Sequence, residues 1–331
     1  MSTVVDPQRR TAGLRRAAVR ATLAPSVHNT QPWRFELSGN ELDVLADPSR
    51  QLLVLDPTQR QLTISCGCAV FNARVSLVSS GFGARVARFP DPTRPELLAR
   101  ITTTDHVREY RDPIGPLDQV LELRHTNRRR FSGDEVPAEL IKTLERVAID
   151  EDSLLVRVGS EDHRVALARL SQKADDLENL NAAYRAEIRA WTTDNLQRRD
   201  GVPAMAVPRV DGTAGDEVPI RDFDSHGVGW LPAQTHSSRN QCLLLLGTRR
   251  DDRESWLRAG EALERVLLEI TRHGFTASPL TQVVEVASVR AELRHELELT
   301  MFAHVLLRVG RAPLTPASRR RRLVDVLVEK S

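Results

Sequence analysis

The spacing of apolar and polar residues changes period several times along the chain. Arg9 to Arg20 is arginine-rich with helical patterning, whereas Phe35-Glu36-Leu37 and Leu42-Asp43-Val44-Leu45 alternate as a strand does. The clearest long-range regularity is a repeat. An offset of 193 residues sets Gly67 against Gly260, Ala69 against Ala262, Gly81 against Gly274, Phe82 against Phe275 and Ala84 against Ala277. Each copy reads as a helix with apolar residues three and four apart, closed by a glycine suited to a left-handed C-terminal cap. An extended segment follows each: Ala84 to Phe89, and Val283 to Val286. The second half adds a helix at Pro137 to Ala148, a strand at Leu154 to Val158 and a long helical stretch from Asp162 to about Leu196. A strand at Leu306 to Val309 and an arginine-rich tail close the chain. The order helix, strand, strand, long buried helix, strand therefore occurs twice. Mixed strands and helices predict an α+β class.

Two segments break the periodicity. Ala24-Pro25-Ser26-Val27-His28-Asn29-Thr30-Gln31-Pro32-Trp33 lies between the first helix and the first strand. Pro25 and Pro32 stiffen it. Ser26, His28, Asn29 and Gln31 supply donors and acceptors without a nucleophile–base pair, which suits recognition of a flat polar ligand better than hydrolysis. Residues 199–232 carry Gly201, Pro203, Pro208, Gly212, Gly215, Pro219, Gly227, Gly229 and Pro232 with no regular period. Loops of this length are usually functional covers or disordered.

The densest basic cluster is Arg124-His125-Thr126-Asn127-Arg128-Arg129-Arg130, following a helix predicted at Pro116 to Leu123. Arginine forks with a hydroxyl and an amide can cradle a phosphate; the same residues also fit a solvated charged turn. Arg319 to Arg322 form a second cluster, which reads either as a phosphate contact or as a basic tail. Several sharper motifs fail. His295-Glu296 lacks the second histidine of a zinc-protease helix, Gly81-Phe82-Gly83 is an incomplete dinucleotide fingerprint, and no Gly-Lys-Ser/Thr phosphate loop occurs.

The 331 residues suffice for one large domain or two ordinary ones. Forty-seven basic residues balance 45 acidic ones to a net charge of +2, so nothing global points to nucleic acid or an anionic membrane. Lysine is confined to Lys142, Lys173 and Lys330. Three cysteines make no disulfide framework, no N-terminal apolar stretch resembles a signal peptide, and the longest apolar run, Cys242 to Leu246, is too short to span a bilayer. A cytoplasmic location is expected.

The turn at 24–35 resembles the A-P-S-x-x-N-x-Q-P-W-x-F loop of the nitroreductase-fold flavoproteins. Further stretches are similar to the actinobacterial Acg-type branch, in which two nitroreductase-like halves share one chain: Ile64-Ser65-Cys66-Gly67-Cys68-Ala69, the cluster Arg124 to Arg129, Pro219-Ile220-Arg221-Asp222-Phe223, Trp256 to Leu263, and Ala277-Ser278-Pro279-Leu280. The resemblance covers nearly the whole chain. It implies a nitroreductase-like fold, with residues 1–115 and 116–331 as two halves of an intramolecular pseudo-dimer whose mixed sheets are flanked by helices. It implies FMN as cofactor. Ser26, His28, Asn29 and Gln31 would meet the ring and ribityl chain. Arg124, Thr126, Asn127, Arg128 and Arg129, with Arg320 and Arg321, would meet the phosphate. Ser278, Pro279 and Leu280 would pass the ring edge. The Ser-Pro pair is replaced by Arg85-Val86 in the first copy, so a single site is expected. NAD(P)H would be the reductant, and a nitroaromatic or quinone the small aromatic acceptor; a homodimer is compatible with this reading. The lysine that often serves flavin N1 and O2 in the wider family has no match near these motifs, so no catalytic residue is assigned. Two alternatives stand beside the reductase: an FMN-sequestering protein covered by the 199–232 loop, and a flavin-free interaction module.

Overall fold

The computed structural model describes residues 6–104, 113–128, 131–193, 195, 197–203, 241–313, 315 and 317–330. The first helix, α1 (Pro7–Ala21), is capped by Asp6, whose side chain accepts from Gln8 N–H, and starts on Pro7, whose fixed φ and missing N–H suit a first turn. Its face of Leu14, Ala17, Ala18 and Ala21 is buried. After the polar turn come β1 (Trp33–Ser38), β2 (Glu41–Ala46), the long α2 (Arg60–Ser79), β3 (Gly83–Arg88) and β4 (Leu97–Thr104). The second part runs α3 (Ala138–Asp150), β5 (Leu154–Arg157), α4 (Glu161–Leu180), α5 (Ala182–Trp191), the two-residue strands β6 (Thr192–Thr193) and β7 (Val202–Pro203), then β8 (Cys242–Thr248). It ends with α6 (Arg253–Arg272), β9 (Thr276–Pro279), α7 (Gln282–Glu285), α8 (Ala287–Glu296), β10 (Phe302–Gly310) and β11 (Leu327–Glu329).

The larger strands form two mixed layers. One sheet has the order β11-β1-β2-β4-β3, with β11 parallel to β1 and the other pairs antiparallel. The other has the order β5-β8-β10-β9, and Thr126 adds a parallel bridge to Ala277 beside β9. The chain is thus α+β, with mixed sheets flanked by helices. Leaving aside β11, each sheet takes its strands in the same relative order around one long helix, α2 or α6. The C-terminal segment leaves β10 of one sheet and finishes as the edge strand of the other, where Phe35 lies opposite Leu327.

The two long helices are the core. α2 is buried almost all round, so it shows little amphipathic pattern. It is long and apolar enough to cross a membrane, yet most of it lies inside the protein. It crosses α6 at glycines: a Cβ on Gly67 would lie 2.1 Å from the Leu257 carbonyl oxygen, and one on Gly260 would lie 2.0 Å from that of Ile64. The contact is reciprocal at the offset of 193. Both helices also end alike. Gly81 and Gly274 have φ of 83° and 74°, Phe82 N–H donates to Leu77 O, and Phe275 N–H donates to Ile270 O, each at 3.0 Å, the closure that satisfies the last carbonyls.

Three sequence expectations are corrected. Val283 to Val286 is not extended: Gln282–Glu285 is helical, and the strand that matches β3 at the offset is Thr276–Pro279. The β-branched run misled because Val283 and Val284 are placed by burial in the core under α4 and α8, which overrides strand propensity. The stretch from Asp162 is two helices, broken at Asn181, whose side-chain oxygen accepts from Ala183 and Tyr184 N–H to start α5. Pro116 to Leu123 is a 3₁₀ segment, Gly115–Val120.

Candidate functional site

The turn after α1 is held in a costly conformation. His28, Asn29 and Gln31 have φ of 49°, 54° and 50°, a region that is sparsely populated without glycine and persists only where surroundings over-determine it. Gln31 supplies much of that restraint. Its N–H donates to Ser26 Oγ at 2.9 Å, its Oε1 accepts from Arg321 N–H at 2.7 Å, and its Nε2 donates to Arg199 O at 2.8 Å. Asn29 Nδ2 donates to Gly201 O at 3.0 Å and Arg319 O at 3.1 Å, while its Oδ1 accepts from Arg320 Nη1 at 3.0 Å. Residues 199–201 and 318–321 therefore clamp the turn from two sides.

The turn forms one wall of a two-part cleft. The first part, about 800 Å³, has an apolar lining from Ile64 and Cys68 of α2, Leu263 of α6, Val305 of β10, Pro279 and Leu280. Gln61, Ser65, Ser278 and His28 add polar groups. Two of these are buried without a hydrogen-bond partner: Gln61 Nε2 and Ser278 Oγ. Native proteins rarely leave such atoms unmatched. The second part, about 510 Å³, is basic and lined by Arg124, His125, Arg128, Arg320, Asn29 and Ser318 among others. Pro25, Ser26, Thr126 and Arg128 line both parts, so the two are continuous.

The basic end is electrostatically tense. Arg124 Nη2 and Arg320 Nη2 both donate to Leu23 O, at 3.3 and 3.2 Å. Burial, with Arg124 as a like-charged neighbour, pushes Arg320 down to about 9, and its Nε is buried without a partner. Burial and the same two arginines lower His125 from its usual value, which keeps it neutral near pH 7. Guanidiniums brought together with an unspent donor are able to hold an anion.

Not every residue expected in the site lines it. Ser26, His28, Asn29, Arg124, Thr126, Arg128, Ser278, Pro279, Leu280 and Arg320 do. Three expected contacts stand behind the cleft instead. Gln31 is fully buried and spends its amide on the clamp. Asn127 donates through Nδ2 to Pro313 O at 2.7 Å and through N–H to Ala277 O at 3.0 Å, which fixes Thr126 beside β9. Arg321 donates to Gln31 O and Asp325 O and lies 3.6 Å from Asp47. Arg129 lies outside the described residues, as do residues 204–240, which contain Arg221-Asp222-Phe223 and most of the expected cover.

Sequence reasoning also missed contributors. Gln61, Ile64, Ser65 and Cys68 form a stripe at i, i+3, i+4 and i+7. Polar Gln61 and Ser65 on a helix otherwise buried were the available signal. Ser318 had none, since tertiary docking alone brings it there, whereas Val202 belongs to the 199–232 segment expected to cover the site.

No family model matches the chain. Relatives match it over most of both chains. "Putative NAD(P)H nitroreductase Rv3131" of Mycobacterium tuberculosis is 34% identical over 315 residues, covering 93% of this chain and 88% of its own. "Putative NAD(P)H nitroreductase acg" from the same organism is 31% identical over 314 residues, 92% of each chain. "Uncharacterized protein Rv3127" is 30% identical over 329 residues, covering 96% of this chain and 92% of its own.

Proposed function

The chain belongs to the Acg-type branch of the nitroreductase family, and from that membership we propose that its cleft holds one FMN and works as a nitroreductase-like oxidoreductase. The observation that carries this reading is the continuity of an apolar chamber with a basic one. FMN has that polarity, with a flat ring system, a hydroxylated chain and a phosphate. Arg124, Arg128, Arg320 and the Thr126 hydroxyl would hold the phosphate. Ser26 and Asn29 would face the chain. Ile64, Cys68, Leu263 and Val305 would pack against the ring, and the unmatched Ser278 Oγ and Gln61 Nε2 would meet its polar edge. The bound flavin supplies the hydride chemistry. Arg128 is the one arginine or lysine, among the described residues, that lines the apolar chamber as well as the basic one. It would bring positive charge toward the ring, a task that no lysine near the cleft performs. NAD(P)H and a small aromatic acceptor would use the chamber in turn.

The purified full-length chain should be yellow and release one FMN per polypeptide when denatured. Anaerobic mixing with NADPH or NADH should bleach it. A ratio near zero or two would defeat the single-site reading. Bound FMN that neither nucleotide bleaches would favour sequestration.

The same reading makes residues 1–115 and 116–331 two halves of a pseudo-dimer. Its support is the matched strand order, the matched helix closures and the reciprocal glycine contact. The cleft would then be shared, with 25–28 and 61–68 from one half and 126–128, 263 and 278–280 from the other. Neither fragment alone should retain FMN. Tight binding by a soluble 116–331 fragment would refute the shared site.

A further inference from the structure

The phosphate end contains a carboxylate that the reading above does not use. Glu264 of α6 is fully buried, and neither of its oxygens has a hydrogen-bond partner. Its Oε1 lies 3.6 Å from Arg124 Nε, and Arg320 also acts on its charge. Asn72 of α2 lies close enough to help hold its charge, though neither of its amide atoms makes a hydrogen bond of ordinary geometry. The helix pair does not demand a charge here. At the corresponding place in α2, 193 residues earlier, stands Phe71, which is equally buried. A buried carboxylate without good hydrogen bonds costs stability. Its retention beside two of the phosphate-facing arginines, Arg124 and Arg320, calls for a role at that end of the cleft.

Resting on the FMN reading, we infer that Glu264 is a proton-linked counter-ion of the phosphate site: it balances Arg124 and Arg320 while the site lacks an anion, and takes up a proton when a phosphomonoester arrives. Competition for the same partners supports this. A phosphate dianion arriving at Arg124 and Arg320 takes the two guanidiniums that balance Glu264 and repels its charge, and a proton on the carboxylate relieves both. A protonated Glu264 also gains a donor to offer Asn72. Burial already pushes Glu264 up to about 7 against the pull of Arg124, Asn72 and Arg320, and a nearby dianion pushes it higher. The sign follows. Above about 7 the free protein carries ionised Glu264 and binding draws in a proton, so affinity falls as pH rises.

The other groups facing this cluster leave a usable window. His125 titrates below its ordinary value, Cys68 is held well above its own by burial and by Glu264, and Arg320 loses its proton only near 9. The second phosphate ionisation lies near about 6. Between about pH 7 and 8, Glu264 is therefore the group with most to change, and Glu264→Gln separates its proton from those of His125 and Arg320, which the same dianion favours.

The test is calorimetry of the full-length chain, stripped of flavin, titrated with FMN in buffers of different ionisation enthalpy. Wild type should take up a fraction of a proton approaching about one per FMN near pH 8, and affinity should fall by up to about tenfold per pH unit, the limit for one linked proton. Riboflavin, which lacks the phosphate, should show no such uptake. Glu264→Gln should remove most of the uptake and flatten the slope, binding FMN more tightly than wild type at pH 8 and about equally at pH 6.5. Absence of uptake in wild type, equal uptake with riboflavin, or unchanged uptake in Glu264→Gln would overturn the inference while leaving the FMN site standing. No FMN binding at any pH would overturn both. Should Glu264→Gln fail to fold, the wild-type comparison of FMN with riboflavin still decides.

Discussion

Replacing Gly260 with alanine is expected to destabilise the protein by about 3 kcal/mol, the upper end of the usual range for an overpacked core, and to release bound FMN. A methyl group there would sit 2.0 Å from the Ile64 carbonyl oxygen and 2.8 Å from Gly67 Cα. Both obstacles are backbone, so neither can swing aside as a side-chain tip can. The helices would have to separate, and with them the cleft walls, since Ile64 and Leu263 lie within a turn of the crossing. Gly67→Ala meets the Leu257 carbonyl in the same way and should behave alike. Gly159→Ala, where nothing lies within 4 Å, is the control. Thermal melts with and without FMN measure the effect. A Gly260→Ala melting temperature equal to wild type would show that the helix crossing is looser than the geometry requires.

That crossing explains why so much of the architecture was legible. A close helix pair needs glycine at the contact, a helix end needs glycine at its cap, and both constraints act locally on identity. Gly67, Gly81, Gly260 and Gly274 therefore survive as a readable repeat while Glu264 and Phe71, at matched positions, do not. The turn was legible for a similar reason: Pro25 and Pro32 mark its ends, and its polar side chains have no period. What sequence does not carry is which of those side chains face inward. Gln31 and Asn29 are two residues apart with similar chemistry. One is walled off by Arg199 and Arg321, while the other still reaches the cleft. The difference is made by residues 168 and more positions away. The same holds for β11, a three-residue strand whose pairing to β1 depends on the path of the C-terminal segment across the molecule.

That segment also delivers a residue whose loss is expected to act directly on cofactor affinity. Arg320→Ala should weaken FMN binding by about 1.5–3 kcal/mol, the range for a hydrogen bond to a charged group, or roughly ten- to a hundred-fold. Riboflavin binding should change far less. Arg320 lines the basic chamber, has a buried Nε without a partner, and is held in place by Asn29 Oδ1 and Leu23 O. Its removal also frees Asn29 from one restraint, so some loosening of the turn is expected, and that part should touch both ligands equally. Arg320→Lys separates charge from geometry. It keeps the positive charge and loses the planar fork, so it should recover part of the FMN affinity but not all. Arg322→Ala is the matched control, because Arg322, two residues beyond Arg320, is paired with Asp325 and does not line either chamber. Fluorescence titration of the flavin-stripped chain with FMN and riboflavin gives both affinities. An equal loss for the two ligands would mean that Arg320 only braces the turn at Asn29, and that the phosphate rests on Arg124 and Arg128.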